Sequence, residues 1–119
     1  MKAEEGYGIE GCLDGSIHDK ALCDLANSLS QKPWMGQMWL KLPYNGVKNR
    51  KSHVNGEIDV LAYNWVRDAY YFYEVKSRDS QKNMNKAQEQ FTRYRECHIG
   101  WDIRGFYVAE GKIYRLSHI

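Results

Sequence analysis

Proline is nearly missing from this 119-residue chain, which has two, and cysteine is scarce, with three. Cys12, Cys23 and Cys97 are odd in number and widely spaced. That excludes a disulfide framework and the paired spacings of zinc or iron–sulfur motifs, and leaves reduced, partly buried thiols as the expectation. No apolar run is long enough to form a bilayer-spanning helix. The start, from Met1 to Gly11, is acidic and glycine-rich, unlike a secretory signal, so a cytoplasmic protein is expected. Repeats, low-complexity tracts and linkers are absent too. One domain over residues 1–119 is therefore expected, with 1–15 loop-like. A net charge of +2 is too small to imply a nucleic-acid partner by itself.

What is present is aromatic and unevenly charged. Nine Tyr and four Trp are many for this length. Most should be core or rim packing, and some could stack on bases. Residues 1–19 carry Glu4, Glu5, Glu10, Asp14 and Asp19 against Lys2. Residues 32–51 carry Lys32, Lys41, Lys48, Arg50 and Lys51 and no acid. This asymmetry reads either as a basic face or as a solvated basic loop.

Periodicity supplies the elements. Ser16 looks like an N-cap, with Asp19 three residues on, and Ile17, Ala21, Leu22, Leu25 and Leu29 follow at helical spacing. The first helix is predicted over about residues 17–30. Met38, Leu40 and Leu42 alternate with Trp39 and Lys41 as a strand, which Pro43, Asn45 and Gly46 should end. Val47 to Asn55 reads as an exposed basic loop. Ile58 to Tyr63 and Ala69 to Ser77 are predicted strands joined by a turn. After the polar stretch Ser77 to Asn83, Met84, Ala87, Phe91 and Tyr94 mark one face of a second helix, which Gly100 should end. Ile103 to Ala109 and Lys112 to Leu116 complete the pattern. The order α-β-β-β-α-β-β predicts an α/β fold: an antiparallel meander, a crossover, and a mixed sheet flanked by helices.

The segment Gly56 to Arg78, GEIDVLAYNWVRDAYYFYEVKSR, carries the chemistry. Residues two apart on a strand share a face, so Glu74 and Lys76 point the same way, with Asp59 on the preceding strand. Two carboxylates and an ammonium so arranged suit metal-assisted phosphodiester cleavage. Asp59 and Glu74 would hold Mg²⁺, with the carbonyl of Val75 completing the shell. Lys76 would orient or deprotonate a water, or hold the phosphate. The bland alternative is a solvent-facing pair on an edge strand, but Tyr70 and Phe72 on the same face favour a buried or cleft-lining position. Glu57 is either a supporting acid beside Asp59 or a solubilising charge. His18, His53, His98 and His118 have no ligand spacing and read as surface or packing residues, although His53 in the basic loop could touch phosphate.

An Asp opening one strand, followed by Glu-x-Lys on the next, resembles the PD-(D/E)xK nuclease superfamily, especially small archaeal and viral Holliday junction resolvases and RecB-like nuclease domains. Ile58 stands where that signature has Pro. The resemblance implies a restriction-endonuclease-like α-β-β-β-α-β core, with Asp59, Glu74 and Lys76 in the signature positions. Gly15-Ser16-Ile17-His18-Asp19-Lys20 is similar to the family's Gly-Ser-x-x-Glu-Arg, which makes Asp19 a candidate metal ligand, with Glu10 as its rival. Gln90 and Tyr94 match the Gln-x-x-x-Tyr helix of RecB-like members, with Tyr94 more readily a core residue. The implied activity is Mg²⁺-dependent cleavage of branched or otherwise structured DNA, with Mn²⁺ able to substitute, by a homodimer where a junction is cut on two sides. Lys48, Arg50 and Lys51 before the site, and Lys82, Lys86 and Arg93 after it, would contact phosphates. The alternatives are a non-catalytic nucleic-acid-binding module with the same fold, and a protein-interaction domain.

Overall fold

The computed structural model describes residues 17–48 and 51–118, and side chains over 17–44 and 56–118. The elements are α1 (Ile17–Ser30), β1 (Met35–Lys48), β2 (Lys51–Asn64), β3 (Ala69–Lys76), α2 (Gln81–Glu96), β4 (Ile103–Ala109) and β5 (Lys112–Arg115). They form one five-stranded sheet in the order β1-β2-β3-β4-β5. β1, β2 and β3 make the expected antiparallel meander. β4 then joins β3 in parallel through α2, and β5 returns antiparallel. None of the described helices is long and apolar enough to cross a membrane.

Each helix buries one apolar stripe on its own side of the sheet. Leu22, Leu25, Ala26 and Leu29 of α1 meet Met38, Leu40, Val60, Ala62, Tyr73 and Val75. Ala87, Phe91 and Tyr94 of α2 meet Leu61, Phe72, Ile103 and Tyr107 on the other side. Gly105 permits the second contact: a Cβ there would lie 2.6 Å from the buried Phe91 ring.

Four predicted boundaries need correction. The strand expected to stop at Pro43 and the loop expected over Val47 to Asn55 instead form one long antiparallel ribbon. Its register runs through Pro43↔Glu57, Tyr44↔Gly56, Asn45↔Asn55 and Lys48↔Lys51. β1 is an edge strand, where the missing N–H of proline can face away from the partner. The pairing is cross-strand, so polar residues take part without an apolar alternation to reveal them. The second helix starts at Gln81, inside the expected polar stretch, because Ser80 caps it by accepting from the Asn83 N–H. It stops at Glu96 with Cys97 as C-cap, before Gly100, whose φ of +93° belongs to the following turn. The N-cap expected at Ser16 lies outside the described residues.

The ribbon carries a break in its alternation. Leu40 and Val60 face α1, yet Leu42 and Ile58, two residues on, pack on the α2 side. The switch falls at Lys41 and Asp59, and Lys41 has a φ of +50°. A non-glycine residue at positive φ inside a strand re-aims the side chains around it, as bulges do beside functional sites.

Candidate functional site

Four elements, α1, β1, β2 and β3, converge where the alternation breaks. The apolar stripe of α1 continues back one turn to Asp19, which is 2% exposed and lies 2.9 Å from Lys41 Nζ. His18, on the same turn, reaches β3: its Nε2–H donates to the Val75 carbonyl at 2.9 Å and lies 3.5 Å from Asp59 Oδ2. Asp59 Oδ2 in turn accepts the Val75 N–H at 2.8 Å. Both sides of the Val75 residue are thus held by side chains from other elements. The hydrogen bond and charge of Asp59 raise the His18 imidazole above its ordinary value, against the opposing effect of burial.

Glu74 points to the α2 side. Its Oε2 accepts from Gln90 Nε2 at 3.1 Å and lies 3.7 Å from Lys76 Nζ. Gln90 Oε1 accepts from the Tyr44 hydroxyl at 3.3 Å, which ties the ribbon to the site through one amide. Glu74 Oε1 is buried and has no hydrogen-bond partner among the described residues. Burial, and then the charge of nearby Asp59, push the Glu74 carboxyl up to about 8, with Lys76 and His18 opposing. Tyr44 is raised by burial and lowered by Arg93 beside it.

The candidates Asp59, Glu74, Lys76, Val75 and Gln90 therefore belong to one constellation. Asp19 lies at its α1 border, engaged by Lys41. Tyr94 is buried in the core, as expected. Glu57 is exposed. Lys82 and Lys86 are exposed on α2, and Arg93 is half-buried. The backbones of Lys48 and Lys51 close the described ribbon. Their side chains and that of His53 are outside the described side chains, and Glu10 and Arg50 lie outside the described residues. His98 and His118 are packing residues, set against Tyr94 and Phe91.

His18 is the correction, because it enters the site instead of the surface. A weak sign was available: it directly precedes Asp19 in the motif Gly15 to Lys20. Lys41 also belongs to the site, and its positive φ has no sequence signature. Among the described residues, no three His, Cys, Asp or Glu side chains gather closely enough to hold a metal by themselves. What the site offers a cation is two carboxylates, one of them with an oxygen unpartnered among the described residues, and a backbone carbonyl. No family model, no curated protein and no solved structure matches this chain.

Proposed function

We propose that this chain is a divalent-cation-dependent deoxyribonuclease whose centre is Asp59, Glu74 and Lys76. The observation that carries the reading is the Glu74 carboxylate. One oxygen is fixed by Gln90 and approached by Lys76, while the other is buried beside the charge of Asp59 with no partner among the described residues. Such an acid gains from an added cation. Mg²⁺ asks for only one or two carboxylates, with water and substrate phosphate supplying the remaining ligands, so this donor set fits it. Held by Asp59, Glu74 and the Val75 carbonyl, it would neutralise phosphoryl charge and acidify a water, and Mn²⁺ could replace it. Lys76 orients the attacking water or holds the scissile phosphate. Gln90 keeps Glu74 aimed, and Asp19 with Lys41 closes the α1 border.

Lys82, Lys86 and Arg93 on α2, and the basic residues Lys48, Arg50 and Lys51 that precede Asp59 in the sequence, supply the phosphate contacts. Structured DNA, such as a four-way junction or flap, is the proposed substrate class, and junction cutting calls for a homodimer. Free Cys23 and Cys97 suit a reducing cytoplasm.

The test is incubation with end-labelled junction, flap and linear duplex, with Mg²⁺, Mn²⁺ or EDTA. Cleavage should need the metal and vanish in Glu74→Ala and Lys76→Ala, while binding persists. A wild-type protein that cuts none of these substrates would sink the catalytic reading.

One observation favours a second reading, a non-catalytic nucleic-acid-binding module. His18 Nε2 already satisfies the Val75 carbonyl and approaches Asp59, so it stands where a cation would be held. On that reading, isothermal calorimetry detects no Mn²⁺ binding to the wild type and restored binding in His18→Ala. Saturable Mn²⁺ uptake by the wild type refutes it.

A further inference from the structure

α2 packs mainly on β3 and β4, and beside it the same side of β1 and β2 carries a floor of half-buried rings. Trp39 and Tyr63 lie 6.4 and 5.0 Å from Tyr70, ring to ring. Tyr70 is stacked at 5.1 Å and 24° on Trp101, which is 53% exposed. From Trp101 the rings continue through His98 at 4.9 Å, Tyr94 at 4.2 Å and Tyr44 at 5.2 Å. Tyr44 bonds Gln90, which holds Glu74. A chain of ring contacts, running through the buried Tyr94, therefore joins an exposed tryptophan to the candidate centre.

A mostly basic stripe on α2 meets this path at Tyr44. Lys82, Lys86, Gln90 and Arg93 recur at helical spacing on α2, and both Gln90 and Arg93 engage Tyr44. A cavity of about 340 Å³ opens against Trp101, lined by Arg95, His98 and His118 among others. A second, of about 320 Å³, includes Asp68 and Asp102. Those two acids are engaged, by the Tyr63 hydroxyl and by Arg104.

An exposed tryptophan stacked on a tyrosine presents a flat apolar face at no further conformational cost. Next to a cationic stripe, that suits a polyanion with flat rings better than an apolar protein surface. We propose that Trp101, Tyr70 and Trp39 form a stacking platform for unpaired bases, which leads a single strand along α2 to Glu74. This rests on and deepens the nuclease reading, by making unpaired nucleotides the part of the substrate that is recognised. Tyr70 and Glu74 are four strand positions apart, ~13 Å, a span of a few nucleotides.

Fluorescence anisotropy in EDTA, with a labelled oligothymidylate and a competing hairpin duplex, tests the platform apart from cleavage. The wild type should bind the unpaired strand in preference, with quenching of its tryptophan emission. Trp101→Ala should weaken binding by about 5- to 150-fold, and Trp101→Phe should restore most of it. Unchanged affinity in Trp101→Ala, or equal competition by duplex, overturns the platform. So does self-association that Trp101→Ala abolishes in a protein with no affinity for the oligonucleotide, since a second copy would then be the occupant. A protein that stacks the strand but cuts nothing overturns the nuclease reading alone, and one that cuts flaps with no regard to Trp101 overturns the platform alone.

Discussion

The Asp59 carboxylate accepts the backbone N–H of Val75 at 2.8 Å, so the aspartate is fastened to the strand that carries Glu74 and Lys76. Removing it should have two separable effects. Asp59→Ala leaves a buried donor unsatisfied, which should cost about 1–3 kcal/mol in urea unfolding. Asp59→Asn keeps an acceptor and should retain most of that stability while losing cleavage. Equal stability loss in both variants would show that the charge, not the hydrogen bond, holds the strand.

Glu74 makes stability depend on pH in a defined window. Its folded value, about 8, lies above the ordinary value of 4.5. Between those values the native protein keeps a proton that the unfolded chain has released. Native stability should therefore fall as pH rises from about 4.5 to about 8. Thermal melts across this range should show a shallower fall for Glu74→Gln than for wild type. At pH 8, Mn²⁺ should raise the melting temperature of wild type more than that of Glu74→Gln.

The close seat of α2 on β4 predicts a sensitive glycine. In Gly105→Ala the new methyl meets Phe91, which is fully buried and has no room to retreat. Destabilisation of about 1–3 kcal/mol by chemical denaturation is expected. Because α2 carries Gln90, activity should fall as well, whereas Gly111→Ala, with nothing within 4 Å of the new atom, should disturb no packing and bear only the strain of a φ of +77°.

Neutralising Lys48, Arg50 and Lys51 together should weaken DNA binding and flatten its dependence on salt. Each lost phosphate contact should reduce the slope of log affinity against log salt by ~0.9. An unchanged slope would place the DNA elsewhere than along the ribbon.

The order of elements was legible because apolar periodicity reports each element's own burial. Leu22, Leu25 and Leu29 announce α1, and Phe72 and Val75 announce β3. The pairing of Tyr44 with Gly56 was not legible, because a ladder of backbone hydrogen bonds leaves no mark on polar side chains. Glu74 and Lys76 could be seen as a pair from their spacing alone, and Asp59 from its adjoining strand. His18 and Lys41 could not, since their aim depends on how the first turn of α1 meets the break in β1. That meeting is a property of packing between distant segments, to which a local pattern is blind.

The Gln90 amide is committed at both ends, to Tyr44 through its oxygen and to Glu74 through its nitrogen. Turned over, it would set its oxygen against Oε2 of the ionised Glu74. The two oxygens of a carboxylate are interchangeable in water, and here they are not. Oε2 is occupied by the protein's own donors, and among the described residues Oε1 meets none. The glutamate has acquired a handedness, and whatever it serves must come to it from one side.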